Sequence, residues 1–135
     1  GAGTILVNAD RTGLNQVFSN LLNNAIKHTT EGLVSISIEA QIDNAGSTTP
    51  NNHYLIVSIK DTGKGISPQM FPKLFTKFGT DTGTGLGLYV SKNIIEAHGG
   101  KIWAENNKDG KGATFTFTLP LASEATQGLD HISSA

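Results

Sequence analysis

The sequence predicts an α+β domain. Three observations carry that reading: an amphipathic helical pattern near the start, alternating strand patterns in the middle and at the end, and a glycine-rich loop running into a second helix. Leu14, Val17, Phe18, Leu21 and Ala25 form one apolar stripe at helical spacing, and Asp10 or Thr12 stands where a helix cap is needed. Residues 33–40 alternate, with Val34, Ile36 and Ile38 on one face and Ser35, Ser37 and Glu39 on the other. Residues 54–60 return as a second strand, turning Leu55, Val57 and Ile59 inward. Leu86, Val90, Ile94 and Ala97 recur at helical spacing, and Gly99-Gly100 supplies the stop. Residues 101–106 and 113–119 read as a closing hairpin across 107–112. Phe115, Phe117 and Leu119 share one face of it, and Thr114, Thr116 and Thr118 the other.

Between these lie weaker elements. Residues 4–7 form a short apolar strand, and residues 43–52 a polar hairpin loop without chemistry. Ser67-Pro68 starts a short helix that Phe75 and Phe78 anchor to the core. Residues 79–82 are all small or polar and are expected to move. From Ala122 the composition turns to Ser, Ala, Thr and Gln, which places a single domain at 1–121 and a frayed tail at 122–135. Because the chain opens on Gly1-Ala2-Gly3 and its one Met is Met70, a fragment or a processed product is expected.

Composition narrows the function. A net charge of −1 gives no reason to expect nucleic acid or an anionic membrane as partner. With no Cys, thiol chemistry and disulfides are excluded. No apolar run approaches a membrane span, and no signal peptide is visible.

The chemistry gathers in three places. Gly83-Thr84-Gly85-Leu86-Gly87-Leu88 opens the second helix, and a glycine loop at a helix start makes an anion site. The first N–H groups there have no internal partners and the helix dipole is positive. Residues 80–82 form no strand, against a dinucleotide loop, and Gly63-Lys64-Gly65 lacks the Ser/Thr of a P-loop. On the first helix, Gln16, Asn20, Asn24 and Lys27 fall in one narrow arc at about 100° per residue. Asn20, Asn23 and Asn24 sit together mid-helix although Asn is a poor helix former, and a broken local rule marks a functional site. Asp61 falls on the buried side at its strand's end by period-2 parity, where its carboxylate needs a partner. Together they describe a nucleotide site: a phosphate loop, a carboxylate for an exocyclic amine, and a helical Asn offering a hard oxygen to Mg²⁺.

The order Asn20-Leu-Leu-Asn-Asn24-Ala-Ile-Lys27-His28-Thr29, then Asp61-Thr-Gly63-Lys-Gly65, then a Phe-rich segment, then Gly83-Thr-Gly85-Leu-Gly87-Leu resembles the N, G1, F and G2 boxes of sensor histidine kinase catalytic ATP-binding domains. These boxes span residues 10 to 120. The resemblance extends to the wider group with gyrase, Hsp90 and MutL. It implies a Bergerat-type fold, a two-layer sandwich whose mixed, mostly antiparallel sheet carries helices on one face.

By that resemblance the cofactors are ATP and Mg²⁺. Asn24 is similar to the Mg²⁺ ligand, Asn20 and Lys27 to phosphate-side contacts, and Asp61 to the adenine-amine acceptor, with Thr114 joining through water. Gly63 and Gly65 would shape the pocket floor. Gly83, Thr84, Gly85, Leu86, Gly87 and Leu88 would cover the phosphates, and residues 66–82 would form the lid, including Ile66, Lys77, Phe78 and Thr82. Two departures stand out: His28 sits where many members place Tyr or Phe, and Lys77 where an Arg often stands.

ATPases of the wider group and their serine-kinase relatives carry a Glu four residues before the Mg²⁺ Asn, as general base. Here that position is Asn20, an amide that cannot take a proton. This disfavours an ATPase or serine kinase, while four intact boxes disfavour a degenerate docking module. None of His28, His53, His98 and His131 stands in the sequence context of the family's phosphoacceptor. The resemblance therefore implies transfer to a His on a separate dimerisation and phosphoacceptor domain, a response regulator as downstream partner, a cytoplasmic setting, no membrane contact and a monomeric isolated domain.

Overall fold

The computed structural model describes residue 7 and residues 9–42, 53–77 and 86–121. The expected strand residues 4–6, the loop 43–52, Phe78, residues 79–85 and the tail 122–135 lie outside the described residues.

The first helix, α1, runs Arg11–His28, and Asp10 is its cap: the carboxylate accepts the Gly13 N–H at 2.8 Å. The strands are β1 Val34–Ile42, β2 His53–Asp61, β3 Ile102–Asn106 and β4 Ala113–Pro120. The second helix, α2, spans Gly87–Ala97 between β2 and β3. The described strands form one sheet in the order β1-β2-β4-β3, and all three pairings are antiparallel.

Both helices lie on one face. There Leu55, Val57 and Ile59 of β2 meet Phe115, Phe117 and Leu119 of β4, under Val17 and Leu21 of α1 and Leu88 and Ile95 of α2. Phe117 is fully buried, with the Phe18 ring edge-on to it at 5.5 Å. Truncating a side chain so placed costs about 3–5 kcal/mol.

Two elements differ from expectation, and β1 keeps its expected faces without being covered. The inward face of α2 is Leu88, Ser91 and Ile95, rotated from the stripe of Leu86, Val90, Ile94 and Ala97; Ala97 is exposed. Leu88, Ser91 and Ile95 are also spaced three and four apart, and the hydroxyl in that row hid it. In β1, Ile36 and Ile38 face the helix side opposite Ile59 and Val57, yet they are 47% and 54% exposed. Strand β1 is one edge of the sheet, and the helices pack chiefly on β2, β4 and β3. The helix expected after Ser67-Pro68 is one 3-10 turn, Phe71–Lys73. Pro72 has no N–H to continue a helix from upstream, and the Thr76 hydroxyl takes the Lys73 carbonyl at 2.7 Å, closing the turn. Phe75 does anchor this segment, edge-on to Phe115 at 6.2 Å.

Candidate functional site

The site is built around the end of β2. Strand parity turns Asp61 to the helix side, where it is 2% exposed. Its Oδ1 accepts the N–H of Gly63 at 2.9 Å and of Ala113 at 3.2 Å. Neither bond involves Oδ2, and Asp61 lines a cavity of about 520 Å³, within the range of small-molecule sites.

Glycines make this packing possible. A Cβ on Gly63 would stand 2.0 Å from the His28 carbonyl oxygen, and one on Gly112 2.0 Å from that of Asp61. Gly65 has φ +79°, the left-handed region that favours glycine. The end of α1, the turn after β2 and the β3–β4 loop therefore converge on one carboxylate.

The cavity wall is apolar where Ile66, Met70, Leu74 and Phe115 form it, and polar where Asn24, His28 and Asp61 do. Asn24 is 9% exposed and its side-chain amide has no hydrogen-bond partner among the described residues. The amide is open to the cavity, where a ligand can supply its missing partner. Its oxygen is a hard donor of the type that Mg²⁺ takes alongside phosphate and water. Among the described residues no group of three His, Cys, Asp or Glu could hold a metal alone.

The remaining expected residues divide. Lys27 borders an adjoining cavity of about 350 Å³ that shares His28 and Lys64 with the first and also reaches Gly63. Asn20 lies on the seam between the helices, its Nδ2 donating to the Gly87 carbonyl and to Ser91 Oγ, both at 3.1 Å. Helix α2 starts at Leu86 and Gly87 with no side-chain cap and no acid in its first turn, which favours an anion there. Lys77 Nζ sits 5.9 Å from the centre of the Tyr89 ring on that same turn. Phe78, Thr82, Gly83, Thr84 and Gly85 are outside the described residues.

Two expected contacts are placed elsewhere. Leu88 is 5% exposed and belongs to the core. Thr114 lies on the opposite sheet face, where its hydroxyl donates to Asn107 Oδ1. Its neighbour Ala113 is the residue beside Asp61, because adjacent strand residues point to opposite faces.

Sequence reading missed Asn106, Asn107 and Gly112. Asn106 brackets Ile66, accepting its N–H at 2.7 Å and donating to its carbonyl at 2.9 Å. Asn107 ties the Asp61 carbonyl to that of Lys111, at 2.8 Å each. Two adjacent Asn at a strand's end, where Asn is disfavoured, were the available signal.

Residues 9–123 match the family described as histidine kinase-, DNA gyrase B-, and HSP90-like ATPase. Sensor protein FixL of Bradyrhizobium diazoefficiens is 44% identical over 90% of this chain, which spans 23% of FixL. Among solved structures, the mycobacterial sensor histidine kinase MprB superposes with a TM-score of 0.71 at 30% identity, covering 85% of this chain and 74% of its own. The catalytic domain of histidine kinase ThkA gives 0.68 at 38% identity, covering 84% and 71%. The chain thus belongs to the histidine kinase-, DNA gyrase B- and HSP90-like ATPase family, as an ATP-binding catalytic domain of the sensor histidine kinase type.

Proposed function

We propose that this domain binds Mg·ATP and presents the γ-phosphoryl group to a histidine on a dimerisation and phosphoacceptor domain, whose product serves a response regulator. One observation carries the reading: the unshared Oδ2 of Asp61 and the unpartnered amide of Asn24 face the same cavity. Asp61 accepts the exocyclic amine of adenine there, while Ile66, Met70 and Phe115 pack against the ring and His28 borders it. Asn24 offers its amide oxygen to Mg²⁺, and Lys27, Lys77 and the start of α2, whose first turn holds no acid, supply positive potential for the phosphates.

ATP supplies the phosphoryl group: its bond to the β–γ bridging oxygen breaks, a bond to the unprotonated nitrogen of the acceptor imidazole forms, and ADP leaves. The ring's other N–H gives its proton to a base of the acceptor domain or to solvent. This chain's contribution is positioning and charge neutralisation. At Asn20, where a hydrolase would hold a base, stands an amide that takes no proton.

Titration of the chain with ATP and GTP, followed by incubation with γ-labelled ATP, tests this. ATP should bind, GTP poorly, and the chain alone should neither label itself nor hydrolyse ATP. Adding the histidine-bearing helical domain should transfer base-stable, acid-labile label to it. Equal affinity for GTP, or robust labelling of the chain itself, would overturn the proposal.

A further inference from the structure

Asn20 stands one turn before Asn24 on α1, yet its amide is directed at α2. A carbonyl only accepts, so the contact with Gly87 O at 3.1 Å must come from Nδ2, which fixes the orientation of the amide. The second amide hydrogen goes to Ser91 Oγ, also at 3.1 Å. Ser91 is fully buried on the inward face of α2 and adds little apolar packing there; its hydroxyl's partner is Asn20. The side chain of Asn20 also lies across Gly87, 3.6 Å from where a Cβ would stand.

We infer that Asn20 and Ser91 are positioning residues. They clasp the first turn of α2 to the amide row of α1 and so set the start of α2 relative to Asn24. Both donors of Asn20 are spent in the clasp. What it can still offer is Oδ1, an acceptor, which bonds a lysine ammonium or a cation's water but not a phosphate oxygen. The inference rests on the nucleotide reading and departs from the expectation of Asn20 as a phosphate contact.

Ser91→Ala separates the possibilities, because Ser91 has no exposed surface from which to touch a nucleotide. The affinities of the parent and variant chains for ATP and for adenosine are measured in Mg²⁺. The clasp predicts that Ser91→Ala weakens ATP by about three- to tenfold, the worth of one net hydrogen bond, while adenosine, held at the Asp61 end, binds as before. Asn20→Asp, which sets an oxygen against the Gly87 carbonyl, should show the same split more strongly, and guards against a Ser91 variant that fails to fold. An Asn20 that donated to phosphate would leave Ser91→Ala binding ATP like the parent, and that result overturns the clasp alone. Parallel losses of ATP and adenosine would reduce the pair to packing and overturn it too. A parent that bound no ATP would take the nucleotide reading down with it.

Discussion

The imidazole of His98 joins the end of α2 to the start of α1. Its Nε2 accepts the backbone N–H of Asp10 at 2.9 Å, and its Nδ1 lies 2.7 Å from the Ile94 carbonyl. The carbonyl requires Nδ1 to carry the hydrogen, and the Asp10 N–H requires a lone pair on Nε2, so the two partners fix one tautomer. His98→Ala removes both bonds. It should lower unfolding stability by about 1–2 kcal/mol, since water reaches the exposed Asp10 amide and replaces part of what is lost. Urea melts of the two chains measure it, and unchanged stability would show that the stitch contributes nothing.

Asp61→Asn is expected to preserve the fold. The Asn oxygen can still accept from Gly63 and Ala113, leaving the new NH₂ where Oδ2 now faces the cavity. A donor would then meet the donor amine of adenine. ATP affinity should fall by about 1.5–3 kcal/mol, the range for a bond to a charged group. Calorimetric titration alongside a thermal melt separates this from unfolding. Retained affinity in a folded variant would remove Asp61 from the site.

Asn24→Ala should reduce the Mg²⁺ dependence of ATP binding, while Asn23→Ala should leave it intact. The two are neighbours, but Asn24 is buried at the cavity and Asn23 is exposed. Affinities with Mg²⁺ and with chelator, compared across the three chains, decide it. Identical metal effects in Asn24→Ala and the parent would exclude the ligand role.

Two glycines should respond oppositely to alanine. Gly112 has φ +82° and no room, its Cβ meeting the Asp61 carbonyl oxygen at 2.0 Å. Gly112→Ala should destabilise by at least about 1–3 kcal/mol from backbone strain alone. At Gly87 a Cβ would find only ordinary contact with Asn20. Gly87→Ala should be neutral or stabilising by up to about 1 kcal/mol, as alanine is the better helix former. Thermal denaturation of both variants checks the contrast.

Where the chemistry is local, the sequence was readable. Asp10 as cap and Asp61 on the buried face follow from rules that act within one turn or one strand. The face of α2 was misread because Ser91 interrupts the apolar row, and its hydroxyl is explained only by Asn20, 71 positions away. Asn106 and Asn107 act across 40 and 46 positions, on backbone groups that no side-chain pattern advertises. Thr114 missed by one residue, which in a strand means the other side of the sheet.

Ile66 belongs to no strand, yet the side chain of Asn106 gives it the paired donor and acceptor that a neighbouring strand would give. The amide of Asn106 is in effect a surrogate peptide group. It extends the hydrogen-bonded register of β3 by one step, onto the residue where the cavity rim begins. The rim and the edge strand are thereby joined by two hydrogen bonds that lie outside the core. The Ile66 amide proton should accordingly trade with solvent deuterium at the pace of a sheet, not of a loop, and Asn106→Ala would release it.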